Sequence, residues 1–286
     1  MKIIECPRDA MQGLSEFIPT DDKVAYINTL LEVGFDTIDF GSFVSPKAIP
    51  QMSDTQEVLS RLNTKDNKTK LLSIIGNKRG AETACSYAEI TYLGYPHSVS
   101  PTFLKRNLNT DTNSSLLLIE ELQEMCVQNN KELVVYQSMA FGNPYGDKWN
   151  VKVVEESIEE LVSRGVKIIS LADTTGVCDP NDIALLFANL VPKYPEVEFG
   201  IHLHTTERNW RTKIDAAYEN GCMRYDSVIL GLGGCPMAED QLVGNMKTQD
   251  VKRYLDEKGV DLGLNQEAFD NATIAAKRTF ASFISH

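Results

Sequence analysis

A chain of 286 residues with 42% hydrophobic content is long enough to enclose a large core within one α/β unit. Its formal net charge of −12 argues against nucleic acid or an anionic membrane surface as partner, since both select basic faces. The six cysteines, Cys6, Cys85, Cys126, Cys178, Cys222 and Cys235, form neither a CxxC pair nor a compact framework, which fits free thiols in a reducing cytoplasm.

The chain opens on a short β-prone run, 2–5, that turns polar too early for a signal peptide, and no apolar stretch approaches the ~18 residues of a membrane span. A helix is predicted over 21–33, where Val24, Ile27 and Leu31 recur at helical spacing behind Thr20 as its cap. Strand 37–40 then precedes helix 55–62, strand 71–75 precedes helix 80–87, and strand 89–93 precedes helix 112–128. The alternation continues with strand 133–138 and helix 151–164, then strand 167–171 and helix 181–190. Strand 198–202 leads to helix 208–220, and strand 227–230 to helix 248–258. Gly34, Gly165, Gly221 and Gly259 fall just past helix ends, where a left-handed residue is cheapest. Eight strand–helix repeats without a linker predict an α/β fold, a (βα)8 TIM barrel over 1–286 as one catalytic domain. An extra C-terminal helix over 266–283 should pack on its outside, and a doubly wound sheet is the alternative architecture.

A barrel of this kind builds its active site at the C-terminal ends of its strands. Candidate polar groups fall there: Arg8, Asp9 and Gln12 after the first strand, Asp39 and Ser42 at the second, Ser138 at the fifth, Asp173-Thr174-Thr175 at the sixth. His202-Leu203-His204 ends the seventh, and Gly231-Leu-Gly-Gly-Cys235-Pro236 follows the eighth. The His-x-His pair is the most informative, because residues two apart on a strand face the same way and the chain has only four histidines. With an anionic oxygen from Asp9 and a carbonyl oxygen from Asn245, the pair composes a site that leaves two octahedral positions for substrate or water. That mixture suits Mg2+ or Mn2+, with Zn2+ compatible but less natural without a thiolate. Taken singly, each residue has an ordinary structural explanation as a core histidine, a turn aspartate or a loop asparagine. Arg8, next to Asp9 on a segment expected to be extended, should point away from it and is placed to stabilise an enolate oxygen, or else to pair with Asp39 or Asp173. Cys235, between Gly233-Gly234 and Pro236, is a candidate acid or base on a loop over the rim.

These residues resemble the 3-hydroxy-3-methylglutaryl-CoA lyase family, within the metal-dependent lyase and Claisen-condensing TIM barrels. The resemblance rests on Pro7-Arg8-Asp9-Ala10-Met11-Gln12, Ser42-Phe43-Val44-Ser45-Pro46-Lys47, Pro50-Gln51-Met52, Asp173-Thr174-Thr175-Gly176, His202-Leu203-His204, the Gly231–Pro236 run and Gly244-Asn245, and it spans almost the whole chain in order. The Ser-Phe-Val-Ser-Pro-Lys and Gly-Leu-Gly-Gly-Cys-Pro runs are the specific parts, whereas Arg-Asp and His-x-His are shared with synthases. What it implies is retro-Claisen cleavage of 3-hydroxy-3-methylglutaryl-CoA, or a close 3-hydroxyacyl-CoA, to acetoacetate or a related keto acid and acetyl-CoA through an enolate. On matching positions it implies Asp9, His202, His204 and Asn245 as metal ligands and Arg8 as the enolate stabiliser. It further implies Asp39 and Asp173 as orienting groups, His202 also as an acid/base, Cys235 in proton transfer, and Gln12, Ser42 and Thr174 against the substrate. The implied partner is a small acyl-CoA or hydroxy acid, with Lys47, Lys105 and Arg106 as candidates for the CoA phosphates and a homodimer left open. The chain departs from the family at Asp39, where Glu is more usual, at Thr205, where Asp is common, and in a 235–245 segment one residue longer that carries Glu239-Asp240. A Claisen-condensing synthase or aldolase, and a catalytically silent binding barrel, are the other readings of the same residues.

Overall fold

The structure, a computed structural model, describes residues 1–233 and 243–281. Strands β1 (Lys2–Glu5), β2 (Thr37–Ser42), β3 (Lys70–Ile74), β4 (Ile90–Ser98), β5 (Glu132–Ser138), β6 (Ile168–Ala172), β7 (Glu198–His202) and β9 (Arg224–Ser227) close a parallel barrel. Pairing of β9 with both β1 and β7 completes the ring, with Glu5 opposite Ser227 and His202 opposite Asp226. At the rim β8 (His204–Thr205) runs antiparallel to β10 (Gly244–Asn245), setting Asn245 opposite His204. The surrounding helices are α1 (Pro7–Gln12), α2 (Thr20–Leu31), α3 (Thr55–Ser60), α4 (Lys78–Cys85), α5 (Pro101–Leu108) and α6 (Thr112–Gln128). They continue as α7 (Val151–Ser163), α8 (Pro180–Lys193), α9 (Trp210–Glu219), α10 (Thr248–Glu257) and α11 (Gln266–Thr279). The expected (βα)8 barrel with an added C-terminal helix is therefore the architecture found. Among the described residues no helix is long and apolar enough to cross a membrane.

Local chemistry explains six of the eleven α-helix starts among the described residues. Side chains of Asn77, Ser100, Asp111, Asn150, Asp179 and Asn265 each accept a first-turn amide, satisfying a donor that the helix itself cannot pair. The added helix α11 docks on α2, where Tyr26 meets Phe280 and the neighbouring Phe35 meets Phe269 edge-on.

Four local expectations are corrected. Thr20 is the first residue of α2 rather than its cap, and its hydroxyl donates to Asp54. The 7–12 segment is helical because Pro7 sits at its first position with φ already set, so Arg8 and Asp9 do not lie on extended chain. The last barrel strand is 224–227, not 227–230, and Leu230 adopts a left-handed φ of 68°. His204 leaves the barrel strand and opens β8 instead. The misplaced strand has a physical cause: Arg224 and Asp226 are buried within it, so its own sequence reads as polar.

Glu5 is fully buried at the end of β1, accepting the Ile229 amide at 2.8 Å and the Thr248 hydroxyl at 2.5 Å. Burial pushes its carboxyl from 4.5 up to about 8, against the two hydrogen bonds. Between those values the folded chain keeps a proton that the unfolded chain has released, so Glu5 makes stability fall as pH rises through that window. Denaturation midpoints between pH 5 and about 8 should flatten in Glu5→Gln relative to wild type; parallel curves would show that Glu5 is ionised throughout. Gly80 gives a second test, because a methyl there would lie 2.5 Å from the Phe43 carbonyl oxygen. Gly→Ala in a free helix stabilises by about 1 kcal/mol, but overpacking against backbone costs about 1–3 kcal/mol. Gly80→Ala should therefore lower the denaturation midpoint, and a raised midpoint would show that the 43–44 backbone yields.

Candidate active site and metal centre

The guanidinium of Arg8 is almost fully committed at the barrel rim. Its Nη2 donates to Asp39 Oδ2 at 2.6 Å and its Nε to the same oxygen at 3.0 Å. Its Nη1 reaches Asp9 Oδ1 at 2.9 Å and Gln12 Oε1 at 2.7 Å, while Gln12 Nε2 donates to Asp9 Oδ1 at 2.7 Å. Arg8 thus bridges both carboxylates, correcting the expectation that it would point away from Asp9. The helical turn of α1, with Gln12 one turn on from Arg8, makes this bridge possible.

Asp9, His202 and His204 bring candidate ligand atoms within 4.8 Å of one another. His204 Nδ1 lies 2.6 Å from the Asp173 carbonyl oxygen, which can only accept, so Nδ1 carries the hydrogen and Nε2 keeps its lone pair. That Nε2 is buried without a hydrogen-bond partner. Leaving such an atom unmatched costs about 1–3 kcal/mol, and a cation among these donors removes that cost. His202 Nδ1 lies 3.3 Å from Asp226 Oδ2, turning Nε2 toward Asp9 Oδ2 at 3.8 Å. Asn245 Nδ2 donates to Asp9 Oδ2 at 2.7 Å and to the Leu232 carbonyl at 2.9 Å, so its own carbonyl oxygen is the end available to a cation. Gly233 allows the close approach that closes this corner: its φ is 76°, and a Cβ there would lie 2.7 Å from the Asp9 carbonyl oxygen. Two oxygens and two imidazole nitrogens fit a divalent ion.

Protonation agrees with that fit at Asp9 and His204 and opposes it at His202 while no cation is bound. Burial works against the Asp9 carboxylate, but the charges of Arg8 and then the two histidines hold it down at about 2. Burial pushes Asp39 up to about 6 in spite of Arg8. His204 is lowered by burial and by His202, which favours the neutral ring needed for coordination. His202 is raised: burial opposes its charge, but the Asp226 hydrogen bond and the Asp9 and Asp226 carboxylates outweigh it.

A cavity of about 510 Å³ opens beside these groups, lined by Arg8, Asp9, Gln12, His202 and His204 and by Thr174, whose hydroxyl oxygen accepts the Met139 amide. Arg106 also lines it, whereas Lys47 and Lys105 do not. Ser42 does not reach the cavity; its hydroxyl donates to the Ile74 carbonyl and accepts the Val44 amide, bracing the wall from behind. The Asp173 carboxylate is likewise taken, by Lys213 at 2.8 Å and the Cys178 amide at 3.1 Å, so only its backbone carbonyl serves the site. Thr205 turns its hydroxyl to Met246 sulfur. Cys235 lies outside the described residues. Sequence reasoning missed three contributors: Asp226, which orients His202; Lys213, which neutralises Asp173; and Tyr136, whose buried hydroxyl has no partner and whose ring meets His202 edge-on. A lone acid or phenol in a strand buried on both faces was the available signal.

The family model described as HMGL-like matches residues 2–274. The whole chain aligns with 84% of the cytoplasmic 3-hydroxy-3-methylglutaryl-CoA lyase of Rattus norvegicus at 30% identity. A second relative, hydroxymethylglutaryl-CoA lyase YngG of Bacillus subtilis, is 29% identical over 91% of this chain and 86% of its own. Among solved structures, the HMG-CoA lyase of Brucella melitensis superposes with a TM-score of 0.89 at 29% identity, covering 97% of each chain. The HMG-CoA lyase of Acinetobacter baumannii, solved with coenzyme A and 3-methylmalate, also gives 0.89 at 30% identity, covering 98% of this chain and 91% of its own. The chain belongs to the HMGL-like family and is a carbon–carbon lyase.

Metal binding can be tested apart from catalysis. Mn2+ at about one hundred times its Kd should stabilise the folded protein by about 2.7 kcal/mol, read as a rise in thermal midpoint. Asp9→Asn and His204→Gln should abolish that rise; a rise preserved in both would place the ion elsewhere.

Proposed function

We propose that this lyase cleaves 3-hydroxy-3-methylglutaryl-CoA, or a close 3-hydroxyacyl-CoA, to acetoacetate or a related keto acid and acetyl-CoA. The observation that carries this reading is the donor set of buried Asp9, His204 and Asn245 with half-buried His202, standing beside a fully braced Arg8 at the end of one cavity. A relative seen with coenzyme A and a hydroxy diacid supports the acyl-CoA class. Held by these four residues, a divalent cation would supply the Lewis acidity that makes a neighbouring tertiary hydroxyl easier to deprotonate.

In the cleavage, the bond between the carbinol carbon and the carbon next to the thioester breaks, its electron pair passes to the thioester oxygen, and the carbinol becomes a ketone. Arg8 meets that developing negative charge without reorganising, since Asp39, Asp9 and Gln12 already fix its plane. For neutral His202 to take the hydroxyl proton its Nε2 would have to be free, with Asp9, His204 and Asn245 holding the cation; Asp226 at Nδ1 then favours the imidazolium that forms. The enolate carbon finally needs a proton, a role we assign to Cys235. The apolar wall formed by Val44, Ile49, Ile74, Phe103 and Leu108 excludes water from the enolate and accepts the aliphatic part of the substrate. Free thiols at Cys6, Cys85, Cys126, Cys178 and Cys222 fit action in a reducing cytoplasm.

Release of acetoacetate from 3-hydroxy-3-methylglutaryl-CoA with added Mg2+ or Mn2+ is the direct assay. Wild type should turn over, and Arg8→Gln should lower kcat by about 10²–10³-fold even at saturating Mn2+. Cys235→Ser should slow the chemical step far more than it weakens metal binding. A metal-loaded wild type that leaves this thioester intact would move the assignment to another hydroxyacyl-CoA or a free hydroxy acid.

A further inference from the structure

We propose that Glu5 is a positioning residue for the metal ligand Asn245, acting through a strained turn at the base of the segment that follows Gly231. The inference rests on reading Asn245 as a ligand. Glu5 is a buried carboxyl group on β1, and no cation pairs with it among the described residues. Its two oxygens instead tie together the two ends of one rim segment. Oε1 accepts the Ile229 amide, where the chain leaves β9, and Oε2 accepts the Thr248 hydroxyl, where the chain enters α10 after Asn245. The hydroxyl of Ser227 stands 3.0 Å from that of Thr248 and completes the knot.

The turn being held is costly. Leu230 has φ 68° and ψ −1°, a left-handed conformation that costs a side-chain-bearing residue about 1–2 kcal/mol. Gly231 follows at φ 66°, where a Cβ would lie 2.8 Å from the main-chain carbonyl oxygen of Asn245. Nothing intrinsic to leucine favours this backbone, so its surroundings must impose it. They do so at two successive amides: Ile229 donates to Glu5 and Leu230 to Gln249 Oε1 at 3.1 Å. The turn then delivers the Leu232 carbonyl to the Asn245 amide. That bond, with the one to Asp9, fixes which end of the Asn245 side chain faces the other ligands. Glu5 therefore reaches the site through backbone, without touching any ligand.

The test measures Mn2+ affinity by calorimetry beside the thermal midpoint of the metal-free protein, so that folding and ligand placement separate. Glu5→Leu should weaken Mn2+ binding on the order of tenfold, as expected when a group that orients a ligand is lost. Glu5→Gln keeps an acceptor for Ile229 and should stay within about twofold of wild type. Should Glu5→Leu fold poorly, Gln249→Ala releases only the Leu230 amide and should weaken Mn2+ in the same direction. Leu230→Gly removes the strain and should restore affinity when added to Glu5→Leu. A lowered midpoint with Mn2+ affinity unchanged in Glu5→Leu and Gln249→Ala would overturn the proposal. Asn245→Ala is the separate check on its premise, since undiminished Mn2+ binding there would sink the ligand reading itself.

Discussion

Keeping the Asp9 carboxylate ionised in a nearly dry rim is the constraint on which the site depends. Removing an unpaired carboxylate from water costs several kcal/mol, so a neutral acid is the default outcome of its burial. Arg8 reverses that default, and the two histidines reinforce it. Arg8 must in turn be buried, and Asp39 completes its neutralisation from the neighbouring strand. Asp39 carries the cost, with its own carboxyl pushed up to about 6. The cluster thus places the strong carboxylate where a cation is wanted and the weaker one behind the guanidinium.

Every other group of the site is aimed by something that cannot move far. The ring of His204 is fixed by a main-chain carbonyl, and Lys213 anchors the Asp173 side chain so that this carbonyl stays in place. His202 is fixed by Asp226 on the adjacent strand, and Asp226 also accepts from Ser170 and lies in the field of buried Arg224. Arg224 fits inside the barrel because Gly200 faces it; a Cβ at that position would lie 2.9 Å from the arginine Cδ. A small residue on one strand thereby permits a charge on the next, and that charge supports the acid that orients a ligand.

The barrel was readable because its signal is repetitive: eight apolar runs alternate with amphipathic helices, and each repeat corroborates the others. The Arg8-Asp9 and His-x-His motifs were readable because charged or imidazole groups beside apolar strands are conspicuous. What escaped detection was polar character inside the strands. Arg224 and Asp226 disguised the last strand and displaced its predicted position onto the apolar residues that follow. The pairing of His204 with Asn245 depends on a two-residue antiparallel ladder between segments forty residues apart in sequence, which no local pattern encodes. Ser42 and Asp173 were correctly placed at the rim but not in the cavity, because position along a strand says nothing about which neighbour claims a side chain.

Donor chemistry and rim geometry together bear on which ion suits the site. Two imidazoles raise affinity for the later first-row ions, whereas Mg2+ prefers oxygen and gives up water reluctantly. With one carboxylate and one amide oxygen, Asp9 and Asn245 would supply the hard half of the proposed ligand set, which is intermediate in character between these two classes of ion. Asn245, like His204, stands on the short ladder outside the barrel strands, and it is held by the Leu232 carbonyl just past left-handed Leu230. An ion that tolerates irregular coordination draws less on that ligand than one demanding near-ideal octahedral angles. Under the proposed ligand set, how firmly the 229–232 turn holds Asn245 therefore bears on ion affinity alongside the identity of the donors.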